Sequence, residues 1–287
     1  MRDIIQIRNL NPEFSGFLKR LPVIPEEILD GAKVMVAVLR SRGMIREITL
    51  EDVLNELRLR PLSETETISC LNWWISVAKQ GNPLRLLRER SQLLDALVVS
   101  ITRPPKKTMK LSDARTFSNS RTDDAIIPAD GPLPCDLLPM NITSQFDPDV
   151  LASFFPWKQL STVDWLRHVT DPKVVVANAD FDVTRCARWA ERVLSVLAQA
   201  WPFLATTARG DVIKILRPMP CIPTSAGLKV PHQAYFSNVN SFRDLPIVAM
   251  PSGAGTVGNL ELVLQSLGVR KHEELKFILD RSAPSPS

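Results

Sequence analysis

The stretch RGDVIKILRPMPCIPTSAGLKVPHQAYF, Arg209 to Phe236, decides how this chain is read. Val212, Ile213, Ile215 and Leu216 set apolar side chains at helical spacing, and Gly210–Asp211 suit a helix start. Pro218 and Pro220 stop that helix, because proline lacks a backbone N–H and restricts the residue before it. Cys221–Ser225 and Leu228–Phe236 then read as two short strands about Ala226–Gly227, the glycine supplying the positive φ of a tight turn. Pro223 and Pro231 do not belong in a central strand, so the hairpin is expected at an edge or as a free-standing wing. A run of helices that ends in such a wing is the winged-helix pattern.

Upstream of it, Asp182–Trp201 carries Cys186, Trp189, Val193, Leu197 and Trp201 at helical spacing and predicts the strongest helix of the chain. Leu160–Val169 predicts a short helix before it. The same order is visible earlier. ITLEDVLNEL at 48–57 is a short helix started by a Thr49–Asp52 capping pair. Ser63, Glu64 and Glu66 mark the start of a tryptophan helix without an ideal box, with Cys70, Leu71, Trp74, Ile75 and Ala78 inward and Trp73 turned elsewhere, open to an interface. Arg90–Ile101 predicts a third helix, and Thr108–Leu111 and Ala125–Pro128 are strand-like. HEELKFIL at 272–279 begins the order again.

The fold class expected is therefore α+β, predominantly α-helical, with two consecutive helical units, the second winged-helix-like with a C-terminal β-hairpin. The boundaries read as an N-terminal connector and helix (1–45), ended by Gly43; a first helical unit with a loose β segment (46–145); a second helical unit with the wing (146–250); and a glycine linker with the start of a truncated third unit (251–287).

Composition narrows the classes of function. Of 287 residues, 45% are hydrophobic, enough for sizeable cores. A net charge of +4 permits an acidic partner without demanding one. Cys70, Cys135, Cys186 and Cys221 form no C-x-x-C, and three histidines leave little material for zinc. Free thiols point to an intracellular protein, cytoplasmic or nuclear. The longest apolar run, Ala32–Leu39, is far short of the roughly 20 residues that span a bilayer, so no membrane is expected.

Four groupings of residues could carry chemistry. Gly253–Gly258 spells G-x-G-x-x-G after an apolar run and before a helix, the dinucleotide pattern. No second parallel strand fits after Gly268, so it reads as a linker rather than a cofactor site. Cys221 and His232 would face each other across a turn at Ala226–Gly227, the minimum for a thiolate nucleophile, with no carboxylate to orient the imidazole. Asp164 and His168 are four apart on a helix and read as a local pair. Lys106, Lys107 and Lys110, with Arg103, form a basic loop, and Arg85, Arg88 and Arg90 another; the wing adds Lys229. Such loops are solvated by default and contact phosphate in a nucleic-acid binder. No catalytic, cofactor-binding or metal-binding residue is assigned.

RDIIQIRNLNPEFSGFLKRLP at 2–22, FPWKQLSTVDWLRHV at 155–169, CIPTSAGLKVPHQAYFSNVNSFRDLPIV at 221–248 and LGVRKHEELKFILDR at 267–281 carry a likeness. The chain resembles the middle region of very long fungal proteins of unknown function, of the sacsin and NO VEIN-like group, which carry a GHKL-type ATPase domain. The resemblance implies an ATP site upstream of Met1. Its D-x-G-x-G signature is absent here, so no ATP residue is carried over and no cofactor is expected. It also implies that the chain is a fragment: a non-catalytic scaffold or transducer region of a larger chaperone-like ATPase. Its partner would then be another protein or the remainder of a longer chain. The alternative is a winged-helix nucleic-acid binder using Lys106, Lys107, Lys110 and Lys229.

Overall fold

The computed structural model describes residues 7–9, 16–19, 32–80, 83–101, 107–118, 127–128, 131–177, 179–237, 245–249 and 257–271. Among them are eleven α-helices and eight short strands in four two-stranded sheets. The protein is α+β and predominantly helical. It divides into two compact units: Met1–Asn119 with Asp136–Gln159, and Ser120–Cys135 with Leu160–Ser287. None of the described helices is long and apolar enough to cross a membrane.

The first unit begins with β1 (Ile7–Asn9), α1 (Lys33–Ser41) and β2 (Ile45–Glu47), the two strands pairing in parallel. Gly43, at φ 69°, turns the chain between α1 and β2. Next come α2 (Leu50–Leu59), α3 (Glu64–Gln80) and α4 (Pro83–Ala96). Thr49 caps α2 in a reciprocal box with Asp52. Ser63 does the same for α3: its N–H donates to Glu66 Oε2 at 2.9 Å, while Glu66 N–H donates back to Ser63 Oγ at 3.3 Å. The serine therefore starts a complete box, against expectation.

The predicted helix Arg90–Ile101 is corrected at both ends. Helix α4 starts at Pro83 and stops at Ala96, and β3 (Val98–Ile101) follows, antiparallel to β4 (Lys107–Lys110). Val98, Val99 and Ile101 are β-branched and fit a pleated surface better than a helix. Leu62 holds the other edge of β3, donating to Val98 O and accepting from Ser100 N–H, both at 2.8 Å. The unit closes with β5 (Thr116–Phe117), α5 (Met140–Thr143), α6 (Pro148–Phe154) and β6 (Lys158–Gln159), β6 lying parallel to β5. Its core gathers Phe17, Leu54, Leu57, Trp74, Leu93, Leu97, Phe117 and Trp157. Trp73 belongs to this core as well: 7% exposed, edge-on to Trp74 and tilted against Phe17. A helix face wide enough for two adjacent tryptophans arises because Phe17 covers the flank on which Trp73 was expected to face an interface.

The second unit contains α7 (Thr162–Val169), α8 (Pro172–Ala177), α9 (Ala187–Ala200), α10 (Thr206–Leu216), β7 (Ile222–Thr224), β8 (Gly227–Lys229) and α11 (Val257–Leu267). Helix α9 packs on α11, on β7 and on α7, burying Trp189, Val193, Leu197 and Trp201. Arg167 ties α7 to α10 by donating to Asp164 at 2.9 Å and to Asp211 at 3.0 Å. Helix α10 begins at Thr206, a turn earlier than Gly210–Asp211 suggests. The third-copy segment at 272–279 lies outside the described residues, as do 125–126 and the linker 251–256.

Candidate functional site

The hairpin at the centre of the sequence reading forms, but not as a free-standing wing. Thr224 pairs with Gly227, so the turn is Ser225–Ala226, one residue earlier than expected, with Gly227 at φ 85°. Thr224 Oγ1 receives Ala226 N–H at 3.2 Å and donates to Gly227 O at 2.6 Å, which fixes that register. On its other side β7 is covered. Ala249 N–H donates to Pro223 O, and Ser225 N–H to Ile247 O. Pro223 is tolerated because only its carbonyl is asked for on that edge. The strip continues: Tyr235 bridges Ile247 on one side and Arg270 on the other, both in parallel. Arg270 also lies over the Tyr235 ring, 5.7 Å from its centre.

This strip settles two of the sequence motifs. Cys221 stands beyond the Ile222–Lys229 pair, and His232 lies in the 3-10 turn Pro231–Gln233. Cys221 is buried, its thiol contacts Leu216 O at 3.7 Å, and burial pushes it up to about 12. It is a structural cysteine, not half of a dyad. At the glycine motif, no strand follows Gly268 among the described residues; Arg270 makes only an isolated bridge, beside Tyr235. Gly253 and Gly255 lie outside the described residues, and Gly258 sits exposed in the first turn of α11.

The basic candidates are divided between the two units. Lys106 and Arg103 lie outside the described residues. Lys107 opens β4 and Lys110 closes it, both in the first unit, whereas Lys229 closes β8 in the second. Lys110 Nζ sits 2.9 Å from Asp95 Oδ1, and this hydrogen bond, aided by one from Ser112, lowers the Asp95 carboxyl below its ordinary value. Arg85, Arg88 and Arg90 are on helix α4, not in a loop, and Arg90 donates to Phe154 O at 3.3 Å. Asp164 is engaged by Ser161 and Arg167; no bond to His168 is among its hydrogen bonds.

A groove that sequence reading missed lies at the amino end of α9. It opens over about 750 Å³ and is lined by Asp180, Phe181, Cys186, Arg188, Trp189, Glu191 and Arg192. Phe181 stands edge-on to Trp189 in its lining, 4.9 Å between ring centres. The groove exists because the helix predicted from Asp182 begins only at Ala187. Asp182 Oδ1 instead receives Thr184 N–H at 2.8 Å and Thr184 Oγ1 at 2.6 Å, a local turn that competes with helix. The sequence signal was present, in the D-x-T spacing at 182–184. Two cations, carboxylates and a thiol line the groove without a set of three metal-type ligands among the described residues. It suits a mixed polar and aromatic surface and shows no nucleophile–base pair.

Comparison with known proteins gives one match. The family described as "Protein of unknown function (DUF3684)" matches residues 1–285. No curated protein and no solved structure matches the chain.

Proposed function

The chain belongs to that family of unknown function over nearly its whole length, and from this premise we propose that it is a non-catalytic scaffold or transducer region of a larger chaperone-like GHKL ATPase protein. One observation carries the reading. Each compact unit contains the order short helix, tryptophan helix, third helix, antiparallel hairpin: α2, α3, α4 and β3–β4 in the first, and α7, α9, α10 and β7–β8 in the second, where the short α8 intervenes between α7 and α9. Repetition of one supersecondary order builds rigid surface rather than a single catalytic cleft. The likeness to long fungal proteins of the sacsin and NO VEIN-like group supports placing the ATPase head elsewhere.

The test is thermal unfolding of the purified chain with and without millimolar Mg-ATP. A ligand that binds only the folded state stabilises it by RT ln(1 + L/Kd), L being the free ligand concentration, and so raises Tm. The expected result is an unchanged Tm. A rise of several degrees would place a nucleotide site in this chain and overturn the reading.

A second reading, nucleic-acid binding, draws support from the first unit, where three helices are followed by a hairpin bearing Lys107 and Lys110. Duplex DNA binding that weakens steeply with salt, and weakens further in a Lys107→Ala/Lys110→Ala chain, would favour it.

A further inference from the structure

Residues 16–19, Gly-Phe-Leu-Lys, lie across the corner between α2 and α3 as a bound peptide would. Each position is read by a different physical feature. At Gly16 an added β-carbon would stand 2.6 Å from Ser69 Oγ and 2.7 Å from Ser69 Cβ, so no side chain fits without displacing α3. Phe17 is fully buried, its ring 5.9 Å from that of Trp73. Its backbone carbonyl accepts from Arg60 Nη2 at 3.2 Å. Leu18 is buried too. Lys19 Nζ reaches Glu66 Oε1 at 2.7 Å.

The polar groups of the receiving side also have partners on their own side of the contact. Glu66 is held by Arg60 through two hydrogen bonds, at 2.9 and 3.0 Å, and by the Ser63 N–H and hydroxyl at 2.9 and 3.0 Å. The Glu66 side chain is only 7% exposed and that of Arg60 21%. The capping box of α3 and the arginine fork thus hold a carboxylate and a guanidinium in fixed positions, one for a lysine and one for a backbone carbonyl. Leu62, between them, is pinned to β3 by two backbone hydrogen bonds, so the corner cannot drift.

We infer that the α2–α3 corner is a peptide-recognition site for a glycine–aromatic–apolar–basic segment, occupied in this chain by its own residues 16–19. The inference does not depend on the scaffold reading above. A site filled from within its own chain is a strap: covalent tethering supplies a high effective concentration, and a free segment of the same chemistry competes only when the strap is weakened. A second copy of the chain, offering its own Gly16–Lys19, meets that chemistry.

The test uses the full chain and a labelled peptide, NPEFSGFLKRLP, residues 11–22. Fluorescence anisotropy should show binding to a Phe17→Ala chain and none to the wild type, whose site is filled. Adding Glu66→Gln to the Phe17→Ala chain should weaken peptide binding by about tenfold or more, the scale of losing a charged anchor. A Gly16→Ala peptide should fail to bind. A folded Phe17→Ala chain that ignores the peptide overturns the inference, as does equal binding of the Gly16→Ala peptide. If Phe17→Ala does not fold, Lys19→Gln serves instead, because Lys19 is 61% exposed and its neutralisation leaves Glu66 held by Arg60 and Ser63. Amide exchange at residues 16–19 should then accelerate while α3 is unchanged; unaltered exchange at those amides also overturns it.

Discussion

Gly131 lies against the indole of Trp189 so closely that a β-carbon built on it would overlap the outer edge of the six-membered ring. Trp189 is itself 5% exposed, edge-on to Trp165 at 6.5 Å and to Phe181 at 4.9 Å. Trp165 and Phe181 thus hem the ring on two sides. Gly131→Ala should therefore destabilise the protein by about 1–3 kcal/mol, the usual result of overpacking a filled core. The urea midpoint measures it. Gly210→Ala, inside helix α10 where an added β-carbon meets nothing, is the contrasting control and should raise the midpoint, by about 0.5–1 kcal/mol of stability, because alanine favours a helix interior over glycine.

Glu66 gives a pH dependence with a definite sign. The arginine fork of Arg60 contributes most, with Lys19 and Ser63 adding to it, and together they hold the Glu66 carboxyl well below the ordinary carboxylate range despite burial. A depressed folded-state value means that the charged form stabilises the fold above the unfolded value, about 4.3 for a free glutamate. That stability is lost as pH falls from there toward the folded value. Glu66→Gln should lower the urea midpoint at pH 7, and the gap between variant and wild type should narrow below about pH 4. A gap that stays constant down to pH 3 would show that Glu66 acts through shape alone.

The thiols should separate into two classes. Cys70 and Cys221 are buried, and loss of solvation pushes both thiols upward, Cys221 to about 12. Cys135 is exposed and Cys186 half-buried. Thiolate is the reacting form, so burial and a raised value act together. A chromogenic disulfide reagent at pH 8 should titrate Cys135 rapidly, Cys186 more slowly, and Cys70 and Cys221 only after denaturant is added. Rapid native-state reaction of Cys221 would contradict its placement beneath α10.

How much of this was legible in the sequence depends on whether a signal was local. Thr49–Asp52 was read as a capping pair and is one, because a capping box is settled within four residues. Trp189, Val193, Leu197 and Trp201 were read as one buried face, since helical spacing alone defines it. Trp73 was misread because its cover, Phe17, is more than fifty residues away in the chain. Val98–Ile101 was misread because helical spacing continued past Ala96, while the strand is chosen by its partners, Leu62 and β4. The hairpin was found but placed one residue off, since the Thr224 hydroxyl, not the glycine alone, sets the register. The groove under Trp189 was missed because a long helix absorbed the turn of Asp182 and Thr184. The corner that seats Phe17 needed three separated pieces, at 16–19, 60 and 63–73, and no spacing rule joins those.

Gly227 closes the last argument, because it is where the hairpin register and the wider strip meet. At φ 85° it occupies backbone space that an L-residue reaches at a cost of about 1–2 kcal/mol. Its carbonyl also accepts the Thr224 hydroxyl at 2.6 Å, so the conformation is held from both sides of the turn. Nothing surrounds the position where a β-carbon would sit, which isolates the backbone effect from any steric one. Gly227→Ala should thus cost about 1 kcal/mol and be rescued by asparagine, which tolerates left-handed backbone better than other side chains. Thr224→Val should cost a comparable amount by removing both hydroxyl bonds. Since the two changes act on one turn, the double variant should cost less than their sum. Additive losses in the double-mutant cycle would mean that the turn is held by its neighbours on the Ile247–Val248 side and not by its own geometry.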